Sequence, residues 1–342
     1  MKKALIITIL FISNTSFSQE FGTLISKGKS GSIVYNVYSQ RAYFEDYLKM
    51  AKKDSSEYYS KWENLIYNKT KSYWDLEFKE NPNKDIDTQK KDLFEFHSNK
   101  LNQDSVLEIT EQFENEVESI LKTTFNYYQN EKDTINIILI PVAGQGGTVK
   151  SIGGSKSVMP LGVNLIKNSK TLNSIIPHEY THRYNQLKKG FPTDIGIWME
   201  KSKMYWSLWS EGLATYGTGI VTNDFSIKNI MLAKEYDTFE MNPKLDSWLA
   251  SEFLKQYTDA LINFENDGPR AKWFATNSTD LRKDLPPSIG YYLGYRVVKV
   301  SINNLGYTFI ELLTFKPEKL NQIGIESLKI IAKTTTNNVY KK

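Results

Sequence analysis

The chain has 342 residues, a formal net charge of +4 and no cysteine. That length suits one large domain or two modest ones and can bury a core unaided. The missing cysteines exclude disulfides, thiol nucleophiles and zinc sites built on thiolate. No dense basic run is present, which argues against nucleic acid as a partner, because phosphate binding needs clustered Lys and Arg. With 21 Tyr, 17 Phe and 7 Trp, the composition is that of an ordered globular protein.

The first stretch, "MKKALIITILFISNTSFSQ", carries Lys2 and Lys3, an apolar run from Ala4 to Ile12, and then Ser16, Phe17 and Ser18, which set small residues where a signal peptidase reads. Residues 1–18 therefore have the pattern of a secretory signal peptide. The alternative is a retained anchor, but the run falls short of the roughly 20 apolar residues that span a bilayer. The mature chain is expected to begin near Gln19, to have no membrane span, and to be periplasmic or secreted. Loss of Lys2 and Lys3 lowers the formal charge from +4 to +2.

Residues 38–67 read as helical and rich in aromatics and lysines, and 80–92 as a polar break. Ser105 with Glu108 makes a capping box, followed by a helical stripe at Val106, Ile109, Phe113, Val117, Ile120 and Leu121. The period then shortens. "INIILIP" (135–141) is the β-branched run of a buried strand, and 158–166 reads as another. The glycine-rich "AGQGGTVKSIGGSKS" between them lacks a Gly-Lys-Ser/Thr ending and leads into no helix. It reads as a hairpin or mobile flap rather than a phosphate loop. Further helices are expected over about 172–188, ending before Gly190 and Pro192, over 200–219 and over 286–306, with helical period continuing to the end. The pattern is α+β and helix-dominant: an N-terminal helical region (19–130), then a domain (131–342) with a small sheet and flanking helices.

The chemistry concentrates in "HEYTH". Two of the three histidines in the chain, His178 and His182, lie four apart with Glu179 between them. On a helix, residues four apart are separated by about 40° around the axis, so both imidazoles can share one metal ion. Glu179 is displaced by about 60° from His182, enough to miss the metal and reach a water beside it. Zinc needs a third protein ligand and an open position. His97 is one candidate. Glu211, in "SLWSEGLATYGTG", is the better one: it falls in a helix apolar nearly all round, where an unpaired carboxylate costs several kcal/mol. The alternative is a buried Glu211 paired with an arginine or hydrogen-bonded. Pro177, directly before His178, makes the helix either begin late, near Ser174, or bend.

His178, Glu179, His182 and Glu211 together resemble the gluzincin metallopeptidases, whose third zinc ligand is a glutamate. "SLWSEGLATY" looks like the "LWLNEGFA-x-Y" stretch of aminopeptidase-N-like members, though 28 residues separate His182 from Glu211, a longer gap than theirs. That gap and "GYYLGYRVVK" (290–299) are closer to a family of small predicted zinc-dependent proteases in the same superfamily. The likeness covers roughly residues 130–310. It implies a zincin-like core with one zinc ion on His178, His182 and Glu211. Glu179 would be the general base, passing a proton from water to the leaving amine. Tyr291, in a Y-x-x-G stretch ending at Gly294, would stabilise the oxyanion, with Tyr295 on its face. The strand at 158–166 would hold substrate backbone as an added strand.

Two departures stand out. The glycine–alanine–methionine–glutamate–asparagine segment that captures a free substrate amine is missing, so aminopeptidase action is not implied. Thr215 stands where the thermolysin-type pattern has the aspartate that orients a zinc histidine. The expectation is therefore an exported zinc-dependent peptidase acting on a peptide or protein substrate. The competing reading is a non-catalytic peptide-binding protein on the same scaffold with structural zinc. Arg270, Arg282 and Arg296 could grip a substrate carboxylate, but arginines at this density are usually solvated or in surface pairs, and no role is assigned to them.

Overall fold

The computed structural model describes residues 21–53, 57–79, 82–100, 105–128, 131–153, 156–189, 203–257, 268–275 and 278–334. The expected signal segment, 1–18, lies outside them. The fold is α+β and helix-dominant, with one mixed five-stranded sheet. Contacts divide the chain into two compact units, Met1–Leu172 and Asn173–Lys342. Among the described residues no helix is long and apolar enough to cross a membrane.

The first unit holds the whole sheet. Strands β1 (Thr23–Ser30) and β2 (Ile33–Ser39) form an antiparallel hairpin. Gly31, in the two-residue turn, takes φ 56°, a conformation that glycine adopts without steric cost. The chain then runs through α1 (Arg41–Lys53), α2 (Tyr58–Trp62), α3 (Lys71–Lys79), α4 (Ile86–Lys100) and α5 (Val106–Tyr127). This long crossover lets β3 (Asp133–Ile140) pair with β2 in parallel. After it come β4 (Lys150–Gly153) and β5 (Lys156–Gly162), and the sheet order is β1-β2-β3-β5-β4. Ile135 and Ile137 to Ile140 on β3 are all 0% exposed, which is why this strand reads as an unbroken apolar run. On α5, Phe113, Val117 and Leu121 are likewise fully buried, each stabilising by roughly 2 kcal/mol.

Several expectations are corrected here. The region 19–130 is not purely helical: β1 and β2 belong to the same sheet as β3 to β5, so the sheet spans the boundary expected near 130. The helix expected over 38–67 starts at Arg41 and is broken into α1, α2 and a π-helical turn at Glu63–Tyr67. The polar break is shorter than expected because α4 begins at Ile86. Ser105 caps nothing with its side chain: its φ of 78° turns the chain left-handed at that point. A complete capping box forms instead at Thr308 and Glu311.

The glycine-rich stretch does lead into a hairpin, with β4 antiparallel to β5. Its loop is tied down by Asn164, which accepts from Ala143 N at 2.8 Å and donates to Ala143 O at 3.1 Å. The strand expected over 158–166 ends at Gly162, and a short helix, α6 (Val163–Ile166), follows. β5 lies between β3 and β4, and Leu161 is bridged to Gly147, so it is not the free sheet edge that an added strand needs.

Among its described residues the second unit has helices and no strand. Its helices are α7 (Ser169–Lys189, whose first turn belongs to the first unit), α8 (Lys203–Thr222), α9 (Ile227–Ile230), α10 (Pro243–Tyr257), α11 (Gly268–Phe274), α12 (Ile289–Asn303), α13 (Phe309–Thr314) and α14 (Pro317–Ala332). α8 is buried on nearly every side: Met204, Tyr205, Leu208, Trp209, Leu213 and Ala214 are each 3% exposed or less. Trp209 Nε1 donates to Leu320 O of α14 at 2.9 Å, fixing the polar edge of a fully buried indole.

Candidate metal centre

Helix α7 runs straight through Pro177, so the late start is not what happens. The proline removes one rung of the ladder. Thr181 Oγ1 donates to the Pro177 carbonyl at 2.7 Å one turn later. His178 and His182 follow the proline in unbroken register, with ring centroids 4.9 Å apart.

Glu211 on α8 meets them. His178 Nε2 and His182 Nε2 each lie 3.4 Å from Glu211 Oε2. The nearest ligand atoms of the three residues are all within 4.8 Å of one another. A neutral N–H···O bond is shorter, with a mode near 2.9–3.0 Å. A tetrahedral ion with bonds of about 2.05 Å separates its ligands by about 3.3–3.4 Å. The two contacts to Glu211 thus match two edges of a zinc-sized tetrahedron better than a pair of hydrogen bonds. Glu211 Oε2 is buried and has no hydrogen-bond partner among the described residues, as a ligand atom would. Two imidazoles and one carboxylate form a donor set suited to zinc, and the three residues could hold one such ion.

Electrostatics bind the group together. Burial pushes the Glu211 carboxyl up, but the His182 and His178 imidazoles outweigh it and hold the group below the usual carboxylate range. Burial lowers the His182 imidazole, and the Glu211 charge reverses this to a net rise. Glu179, 8% exposed, is raised above an ordinary carboxylate chiefly by burial, against the pull of both histidines. The raised carboxyl thus lies beside the three residues that could hold a metal.

Tyr291 on α12 joins this group. Its ring stacks on His178 at 5.9 Å and 13°. Burial, and then the charges of Glu211 and Glu179, raise its hydroxyl well above the phenol range. It therefore stays a protonated donor. The contact depends on a helix crossing without side chains. A Cβ on Gly294 would lie 2.4 Å from Leu208 O, and one on Gly212 would lie 2.4 Å from Gly294 C. Two glycines facing each other let α8 and α12 touch backbone to backbone. Glu211 adjoins one glycine and Tyr291 precedes the other by a turn. Tyr295, a turn further on, packs against Tyr216 at 6.1 Å instead. Helix α12 is pinned by a buried pair, Arg296 Nη2 to Asp246 Oδ2 at 2.9 Å, and by Tyr292 OH donating to Asp246 Oδ1 at 2.6 Å. Arg296 is therefore not the surface arginine expected. Arg282 is one, forked onto Asp284 at 2.6 and 3.0 Å.

Two neighbours were not placed at this site from the sequence. Ser210 Oγ lies 3.1 Å from His182 Nδ1. The tautomer that frees Nε2 for a metal carries its proton on Nδ1, where the serine oxygen accepts it. Adjacency to Glu211 was the available signal. Thr215, in the aspartate's place, is fully buried with Oγ1 unpartnered among the described residues, so it does not replace that aspartate. Arg270 is the second, donating from Nε to Ser207 Oγ at 3.2 Å one turn before Glu211. Only long-range packing reveals it. His97 belongs to the first unit, enclosed by its aromatics, with Nδ1 accepting from Trp62 Nε1 at 3.0 Å; it is a core histidine.

No protein-family model, no curated protein and no solved structure matches this chain.

Proposed function

We propose that this chain is an exported zinc-dependent peptidase of the gluzincin type. The observation that carries the proposal is the convergence of His178 Nε2 and His182 Nε2 on Glu211 Oε2, at 3.4 Å each. Export rests on the signal-like pattern of residues 1–18.

Zinc held by these residues supplies Lewis acidity, which polarises a peptide carbonyl and acidifies water. The chain's own groups do the rest. Glu179 takes the proton of the attacking water at its carboxylate and delivers it to the leaving amine nitrogen. Its burial keeps that carboxylate basic enough for the task. Tyr291 keeps its proton and donates to the oxygen on which negative charge develops, an interaction of a kind worth a few kcal/mol. Ser210 holds the His182 ring in its metal-facing tautomer.

Metal analysis of the purified mature chain tests the centre: about one zinc per chain is expected in the wild type and a large loss in His182→Ala. Glu179→Gln should keep its zinc and lose peptide hydrolysis by about 10²–10⁴-fold, the usual range for a positioned acid–base group. A wild type that binds no zinc would sink the reading. A zinc-loaded wild type that cleaves nothing in a broad peptide library would leave a binding protein in its place.

A further inference from the structure

We infer that Arg270 is a substrate-recognition residue for a carboxylate carried by the peptide. This inference rests on the peptidase reading and names its substrate class. Arg270 and Phe274 lie four apart on α11 and so share one face of that helix. Phe274 packs beside Tyr291, with ring centroids 6.4 Å apart, and a Cβ on Gly290 would meet its ring at 2.5 Å. The same face therefore brings Arg270 up to α8, where Ser207 Oγ receives its Nε at 3.2 Å. Ser207 is 2% exposed and one turn from Glu211, so the guanidinium is anchored beside the candidate metal centre by its inner nitrogen. Its outer nitrogens are the ones that grip carboxylates in a fork.

No carboxylate among the described residues pairs with this cation, whereas Arg41, Arg282 and Arg296 each have one. The Arg270 charge also acts on the Tyr291 hydroxyl, against the pull of Glu211 and Glu179. Charge balance points the same way. Among the described residues, Glu211 and Glu179 would together offset a divalent ion held there, and Arg270 would add one positive charge beside it. An anionic group on the substrate neutralises that charge. It has two sources, the C-terminal carboxylate of the peptide or an Asp or Glu side chain.

The test uses zinc-loaded, immobilised Glu179→Gln protein and a mixed peptide library in two forms, C-terminal acid and C-terminal amide, each with and without Asp or Glu. Retained peptides are quantified by mass spectrometry. Peptides bearing a carboxylate should be enriched about tenfold or more, the scale of one charge-assisted hydrogen-bonded contact. Enrichment of acid over amide forms assigns the C-terminal carboxylate; enrichment among amides with Asp or Glu assigns the side chain. Arg270→Gln in the same background should erase the preference while uncharged peptides are retained as before. Arg270→Lys, which keeps the charge without the fork, should keep part of it. No preference in the parent protein, or a preference that survives Arg270→Gln, overturns the inference. Failure to retain any peptide also overturns it, and zinc content then decides whether the metal-centre reading falls with it.

Discussion

His97 in the first unit is fully buried and His182 in the second is largely so, with 16% of its side chain exposed, yet they sit in opposite electrostatic settings. His97 is surrounded by Phe44, Trp62, Trp74 and Phe96, with ring centroids between 5.0 and 6.1 Å away. Burial pulls its pKa down to about 3, against a smaller upward pull from the Val142 backbone. His182 is also penalised by burial, but the Glu211 charge reverses the sign. The difference teaches that burial alone does not make a histidine functional. An imidazole among rings is held neutral as part of the core. A pair of imidazoles facing a shared carboxylate is instead a cluster that could hold a cation.

Removing the carboxylate should break this contrast most completely. Glu211→Gln keeps the shape but not the charge, and zinc affinity should fall by more than about 100-fold, the upper end for loss of a mere outer partner. Competition titration against a chelating dye reads this directly, and an unchanged affinity would mean that Glu211 is no ligand.

The geometry that brings Tyr291 to the pair can be attacked at the glycines. Gly294→Ala places a Cβ 2.4 Å from the Leu208 carbonyl. It should destabilise the fold by about 3 kcal/mol, the upper end for overpacking, and lower the melting temperature. A melting temperature equal to wild type would show that α8 and α12 have room to part.

On the other side of the comparison, His97 predicts acid sensitivity. Its folded pKa of about 3 lies below the unfolded value of 6.5, so the unfolded chain binds the extra proton. Its contribution is present above pH 6.5 and lost as pH falls towards 3. Between pH 7 and pH 5 the loss is about 2 kcal/mol, at 1.36 kcal/mol per pH unit. Urea unfolding at the two pH values measures it, and His97→Gln should flatten that part of the profile. An equal pH dependence in the variant would exclude His97 as its source.

The smallest effect sharpens the view of His182. Ser210→Ala removes one neutral partner of Nδ1, and zinc affinity should fall about tenfold, with Glu211 and His178 still in place. Zinc binding that does not change would mean that the serine merely lies alongside.

The site was more legible than the fold around it. The spacing of His178 and His182 fixes their relation by helix geometry alone, and the surrounding apolar residues mark Glu211 as a buried carboxylate in need of a cation. The α5 stripe and β3 were equally plain, since each repeats its period in consecutive residues. The β1–β2 hairpin was missed because β1 is mostly exposed and interrupted by Lys27, Gly28 and Lys29, so it shows no clean alternation. The capping box at Ser105 failed although its letters were right, because a left-handed φ at that residue overrides side-chain preference.

By itself the sequence determined which residues can share a helix face, which runs must be buried, and hence the His178–His182 pair, because these relations depend only on local backbone periodicity. Tertiary structure alone decided which carboxylate and tyrosine meet that pair, that β5 is interior to its sheet, that Arg296 is buried on Asp246, and that Ser210 and Arg270 border the site. Those outcomes depend on how closely separate helices approach, and at Gly212 and Gly294 that distance is set by the absence of side chains on both partners, a condition that neither segment encodes alone.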